Sequence, residues 1–303
     1  MRAAMTILLL SSVACTTERL RESWEGWYDQ GSELDVEEPL AFTDVNYDFT
    51  GATPIADIPT PAADSFETWF ASDDPPAAGC VDWLTVDDLP VEIEGVVTLH
   101  PRQYIKVSGC RPEGDNAVDS DEKYYGSYFV QDRSGGYFVL GDSKVARFDM
   151  GDRVTMRVRA VKEYFGMTMI SAHDILEVSR GPEPIFFDRV DGRLLSRADI
   201  GKTVRIEGLV AAPLGGFGEV YLCTGDAPDT TLVETDRDDV PACYLQRTDE
   251  APAFKVGLDV ELQRRGIEPE AGTRYAVTGP VIYSFNEEQV NVMRIGQLEP
   301  LAE

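Results

Sequence analysis

Two short stretches of this chain are the same strand written twice. Val91-Glu92-Ile93-Glu94-Gly95-Val96-Val97 and Val204-Arg205-Ile206-Glu207-Gly208-Leu209-Val210 agree at Val, Ile, Glu, Gly and the final Val. Both alternate apolar and charged residues, the period of a strand with one face buried. Similar lead-ins precede them, Trp83-Leu84-Thr85-Val86-Asp87-Asp88-Leu89 and Leu194-Leu195-Ser196-Arg197-Ala198-Asp199-Ile200. Further on, Gly151-Asp152-Arg153-Val154 is echoed by Gly272-Thr273-Arg274-Tyr275, and each opens a long strand with a closing hairpin. An internal duplication of strand patterns, with no long helical period, confines the fold to two small all-β units. Each is of about 100 residues and suits a closed barrel.

Between these landmarks the first unit is the easier to read. Tyr128 to Asp132 and Gly136 to Leu140 form a hairpin across Arg133-Ser134-Gly135, with glycine at the turn. Asp152 to Val161 alternates Val154, Met156, Val158 and Ala160 with Arg153, Thr155, Arg157 and Arg159, and Met167 to Val178 supplies a last strand or two. Ile93 to Val97, Gly126-Ser127-Tyr128-Phe129-Val130-Gln131-Asp132, Ser134-Gly135-Gly136 and Gly151 to Val154 together resemble the OB-fold domains attached to secreted bacterial nucleases and other exported proteins. The second copy departs from that pattern. Its Glu219-Val220-Tyr221-Leu222-Cys223 lacks the Gln-Asp, and a long acidic insert follows. The expected fold class is all-β: two tandem small OB-like β-barrels after an acidic N-terminal spacer.

The N-terminus reads as an export signal. One basic residue, Arg2, precedes the apolar Ile7-Leu8-Leu9-Leu10 and the small residues Ser11-Ser12-Val13-Ala14-Cys15. The apolar run is too short for a membrane span, which takes about 20 residues. Val13-Ala14-Cys15 resembles the lipobox of bacterial lipoproteins, although Ser12 stands where that pattern has a large aliphatic residue. The resemblance implies that Cys15 is lipidated after cleavage, and Thr16 behind it points to the outer membrane; the alternative is a secreted or periplasmic protein. The expected organisation is a signal peptide at 1–14, a lipidated Cys and acidic, proline-containing spacer at 15–78, barrel 1 at 79–180 and barrel 2 at 181–303.

Charge and cysteine usage agree with export. The formal net charge is -27, and residues 16–90 carry 18 acidic against 2 basic side chains. That balance argues against nonspecific nucleic-acid binding, which needs cations to neutralise phosphates. Cys80, Cys110, Cys223 and Cys243 remain once Cys15 is set aside, an even number that suits disulfides. Of three connectivities, Cys80–Cys110 with Cys223–Cys243 keeps each pair within one barrel. Zinc is disfavoured, because there is no Cys-x-x-Cys and His100 and His173 have no matching spacing. No cofactor or metal site is expected; the acidic loops at 115–122 and 234–239 lack EF-hand spacing.

Arg153, Arg157 and Arg159 share one strand face, with Tyr128 and Tyr137 on neighbouring strands. OB-folds stack such aromatics on rings and set cations against a backbone. The same residues also describe a solvated barrel wall with tyrosines partly in the core, and the pattern favours that reading without closing the other. Neither histidine lies in a nucleophile motif, and there is no P-loop or His-Glu-x-x-His. The sequence therefore points to a non-catalytic, lipid-anchored envelope protein with a binding or scaffolding role. Its expected contacts are the membrane, through the lipid, and an oligosaccharide or an envelope protein. The alternative is an accessory subunit of a hydrolase or nuclease that holds oligosaccharide or single-stranded nucleic acid on the OB-like domain.

Overall fold

The computed structural model describes residues 35–302 except 48, 50–51, 59–79, 83–88, 108–121, 142–147, 165–166, 181–182, 217, 236–238 and 285–286; at 80–82, 101–107, 122–125, 162–164 and 284 the backbone alone is described. Cys15 and Cys110 lie outside these residues. In chain order the strands begin with β1 (Phe42–Thr43), β2 (Cys80–Asp82), β3 (Val91–Val107), β4 (Glu122–Gln131), β5 (Gly136–Val139), β6 (Arg153–Tyr164) and β7 (Met167–Ser179). There follow β8 (Ile185–Phe186), β9 (Asp188–Arg189), β10 (Thr203–Val210), β11 (Glu219–Cys223), β12 (Leu232–Glu234), β13 (Asp239–Pro241) and the short helix α1 (Ala242–Leu245). The chain ends with β14 (Ala253–Leu258), helix α2 (Val260–Arg264), β15 (Arg274–Ser284), β16 (Glu287–Val292) and β17 (Leu298–Pro300). Among the described residues no helix is long and apolar enough to cross a membrane.

Strands β3 to β7 close into barrel 1. β3 pairs with β4, β4 with β5, β5 with β7, β7 with β6, and β6 returns to β3. Only the β5–β7 pairing is parallel. Barrel 2 repeats the circuit with β10, β11, β14, β16 and β15, and here β14–β16 is the parallel pair. Counted within each barrel, the order is first, second, third, fifth, fourth and back to first. That closed Greek key is the OB-fold arrangement, and it holds in the second copy despite the lost Gln-Asp. β2 extends barrel 1 along β6, while β9 and β17 extend barrel 2 along β10 and β15.

The repeated residues are the ones closure needs. Gly95 and Gly208 lie where the first strand crowds the second: a Cβ at Gly95 would sit 2.6 Å from Val130 Cγ2, and one at Gly208 3.0 Å from Leu222 Cβ. Gly151 and Gly272 turn into the fourth strand at φ 86° and 85°, a region that penalises any Cβ. Their backbones make the same bonds. Gly151 N–H donates to Val97 O at 2.8 Å and Val97 N–H to Asp152 O at 2.9 Å; Gly272 N–H donates to Val210 O and Val210 N–H to Thr273 O, both at 2.9 Å.

Ile93, Val97, Tyr128, Val130, Val139, Val154, Met156, Val158, Val161 and Ile170 fill barrel 1. The described residues of 35–58, in the middle of the stretch read as a spacer, pack on this body. Ile55 and Ile58 complete the barrel 1 core, and Phe42, Tyr47 and Phe49 pack with Val96, Met150 and Ile185. β1 pairs in parallel with β8 beneath them. Arg294, 1 % exposed, lies in barrel 2 after β16 and reaches Glu38 at 3.0 Å and Asp149 at 2.6 Å. One guanidinium thereby joins the N-terminal segment, barrel 1 and barrel 2. The described residues form one compact unit.

Candidate functional site

OB-folds bind oligonucleotides and oligosaccharides on the outer face of their second and third strands, flanked by the loops after the first and fourth. In barrel 1 those strands are β4 and β5. Because successive side chains alternate across a strand, the inward Tyr128, Val130 and Val139 leave Phe129, Gln131, Phe138 and Leu140 outward. None of the four meets solvent. Phe129 and Phe138 pack edge to face with centroids 4.9 Å apart. With Leu99, Leu140, Met167 and Met169 they run unbroken into the core of barrel 2, including Val204, Val281 and Ile282. Gln131 ties the seam, its Nε2 donating to Phe186 O at 3.3 Å while its Oε1 accepts from Thr203 N–H at 2.7 Å. Backbones meet at Gly136 and Gly201, where a Cβ on either would lie about 2 Å from the other's carbonyl oxygen.

Its neighbour Asp132 builds the hairpin. Asp132 Oδ1 accepts from Ser134 N–H at 2.7 Å, Ser134 Oγ at 2.6 Å and Gly135 N–H at 3.0 Å, while Oδ2 accepts from Ile55 N–H at 2.9 Å. The Gln-Asp pair that carried the fold resemblance thus also fastens barrel 1 to what lies on either side. In the sequence it signalled only a strand end.

The structure brings Arg153, Arg157 and Arg159 together on the outer wall of β6, and each carries a carboxylate. Arg153 pairs with Glu94 and lies 4.6 Å over the Phe49 ring; Arg157 reaches Glu92 at 2.6 Å; Arg159 pairs with Asp174. The tyrosines are not on that wall. Tyr128, 2 % exposed, is inside the barrel with its ring edge-on to Phe148, and Tyr137 packs against the same interior. The Tyr128 hydroxyl lies 3.2 Å from His173 Nε2. Burial raises the phenol's pKa, and burial lowers that of His173, with nearby Asp174 pulling the imidazole the other way. Both shifts favour the neutral forms.

Barrel 2 closes the same face by other means. Val220, Leu222, Phe254, Val256 and Leu258 point inward, so Glu219, Tyr221, Cys223, Ala253 and Lys255 point out along β11 and β14. Over them folds the insert at 224–252. Val240, Cys243 and Tyr244 pack on Tyr221, Cys223 and Ala253, and the Tyr221 and Tyr244 rings lie 4.7 Å apart. Cys223 and Cys243 form the expected disulfide. Cys80 is described only by its backbone and Cys110 not at all, so the other pairing lies outside the described residues.

A polar network underlies this insert. Lys255, 7 % exposed, places Nζ 2.8 Å from Glu219 Oε1 and 3.6 Å from Glu287 Oε2. Tyr244 donates its hydroxyl to Glu287 at 3.2 Å, and Arg247 stacks 4.0 Å over the Tyr244 ring while reaching Glu287 at 3.5 Å. Burial, ahead of the neighbouring charges, raises the Tyr244 phenol's pKa. Glu287 thus links the barrel wall to the lid above it. Among the described residues no three His, Cys, Asp or Glu side chains converge as a metal site would require.

No protein-family model and no curated protein matches the sequence. Similar solved structures include the single-stranded DNA binding protein from Thermus aquaticus, at 11 % identity and TM-score 0.20 over 70 % of this chain and 92 % of that one, and a deletion variant of it, at 13 % and 0.19 over 70 % and 93 %. The OB assignment rests on the strand order of the two barrels themselves.

Proposed function

We propose that this chain is a non-catalytic scaffolding protein of the bacterial cell envelope, anchored through a lipid on Cys15 and holding its two barrels as a single body for protein partners. One observation supports the reading above the others. On both barrels the face that OB-folds offer to oligomers is covered within the chain, by barrel 2 over β4–β5 and by the stapled insert over β11–β14. The arginines of β6 are matched by Glu92, Glu94 and Asp174 and offer no surplus of positive charge to phosphates. The accessory-subunit alternative draws on the network of Tyr221, Lys255 and Glu287, polar and aromatic groups of the kind that hold sugars, and it requires the insert to lift.

Two measurements test the proposal. Cys15→Ser should move the protein from membranes to the soluble fraction, and membrane retention defeats the anchor. A thermal-shift screen of that soluble protein against peptidoglycan oligosaccharides and oligo(dT) should be flat. A bound ligand at 100 times its Kd would add about 2.7 kcal/mol, and such a shift transfers the function to the alternative.

A further inference from the structure

The insert that covers barrel 2 carries a ribbon, β12 paired with β13, that belongs to neither barrel sheet. Apolar residues stand out on it. Leu232 is 48 % exposed, Val233 39 % and Leu245, at the end of α1, 47 %; among the described residues these are three of the five exposed large hydrophobics. Leu232 and Val233 are consecutive on a strand and so face opposite sides; their cross-strand neighbours Pro241 and Val240 are buried, Val240 in the cluster with Tyr221 and Tyr244, so the exposed apolar surface of the ribbon lies on β12.

Its two edges differ. Ala242 N–H donates to Thr231 O at 2.8 Å, and the register sets Leu232 opposite Pro241, Val233 opposite Val240 and Glu234 opposite Asp239. Bonded and non-bonded pairs alternate in an antiparallel ladder. Val233 and Val240 therefore face each other, while Leu232 and Glu234 turn N–H and C=O to the outer edge of β12. On β13 the outward positions are Asp239 and Pro241, and Pro241 has no N–H to give. Proline is a common guard on exposed edges. β13 has one and β12 does not.

We propose that the outer edge of β12, unpaired among the described residues, docks an extended, basic segment of a partner protein as a third strand, its apolar side chains on the face of Val233 and its basic ones on the face of Glu234 and Asp239. This rests on the scaffolding reading and names the class of partner it holds. Main-chain pairing at an exposed edge supplies affinity, and alternate side chains supply selectivity. Charge selects the sign. In sequence the ribbon and its flanks hold Asp226, Asp229, Glu234, Asp236, Asp238 and Asp239 against one cation, Arg237, and Arg247 is turned inward onto Tyr244 and Glu287. A second copy of this chain would set the same acids against each other, whereas Lys and Arg on a partner strand would meet them. The Cys223–Cys243 bond and the Cys243 N–H to Asp229 O contact at 2.8 Å hold the ribbon in place before any partner arrives, which lowers the ordering cost of binding.

Fluorescence anisotropy on the soluble Cys15→Ser protein tests this with three labelled peptides: alternating Lys and Val, the same composition with a central proline, and alternating Glu and Val. The unbroken Lys-Val peptide should bind about tenfold tighter than the proline-broken one, a difference of about 1.4 kcal/mol, and the Glu-Val peptide should not bind. Leu232→Pro, which gives β12 the guard that β13 has, should abolish the difference. Leu232→Ser with Val233→Ser should do the same at exposed positions that leave the fold unburdened. Equal affinity for both Lys-Val peptides reduces the effect to bulk charge and overturns the proposal. So does undiminished binding by the double serine variant, or a dimer in sedimentation that the serine substitutions dissolve. The scaffolding reading fails separately, by a thermal shift with oligosaccharide or DNA, a readout in which the ribbon takes no part.

Discussion

Gln131 and Cys223 occupy one position in two copies of a fold. Gln131 pairs with Val96 on the first strand of barrel 1, and Cys223 with Leu209 on the first strand of barrel 2, two residues that the repeat aligns. Each ends the second strand and points out of its barrel. In barrel 1 the residue is an amide that hydrogen-bonds across a seam to Thr203 and Phe186; in barrel 2 it is a thiol bonded to the chain's own insert. The same outer face is closed twice, once by a neighbour and once from within. The contrast shows how duplicated barrels diverge without changing strand order. Inward residues hold closure constant, and the outward set is free to acquire a new covering.

Three substitutions probe that contrast, in falling order of effect. Phe138→Ala on the barrel 1 face should cost about 3–5 kcal/mol, the usual loss for a buried aromatic. Because Phe138 belongs to a core that continues into barrel 2, calorimetry should show both barrels melting earlier in a single transition. A separate, unshifted barrel 2 transition would mean that the seam is a contact between independent bodies. Cys223→Ala with Cys243→Ala should cost about 3 kcal/mol, the loop-closure value for a separation of 20 residues. Hydrogen exchange should then rise across 224–252 and stay unchanged in β3 to β7. Equal loosening of both barrels would deny the insert its local role.

The smallest effect concerns pH. Burial holds the His173 pKa below its ordinary 6.5, so the folded state resists a proton that the unfolded chain accepts. Stability is full above pH 6.5 and falls as the pH drops from there through the lowered folded value. Melting temperatures from pH 7.5 to 5 should show this slope in wild type and lose it in His173→Gln. His100 is the one other histidine in the chain, and a slope that instead follows His100→Gln places the proton site elsewhere.

Much of the fold was legible because closure makes local demands. Val91 to Val97 and Val204 to Val210 alternate since one side of each strand is barrel core, and Gly151 and Gly272 mark turns whose φ excludes other residues. The binding face was not legible in the same way. Arg153, Arg157 and Arg159 do share a wall, but their partners Glu94, Glu92 and Asp174 lie on adjacent strands, and pairing across strands leaves no trace in the spacing of arginines along one of them. Tyr128 looked like a stacking platform because an inward and an outward aromatic are written identically. Register alone decides between them.

Composition and pattern by themselves determined an all-β chain of two like units, rich in acid, with cysteines in numbers that suit an oxidising compartment. These follow from period-2 burial and from turn chemistry, which act between residues near in sequence. Tertiary structure alone decided that Val36, Ile55 and Ile58 join the barrel cores, that Phe129 and Phe138 belong to a shared core, that Arg294 joins Glu38 to Asp149, and that β12, among the described residues, pairs on one edge alone. Each depends on which outward surface meets which, a matter of packing between segments far apart in sequence.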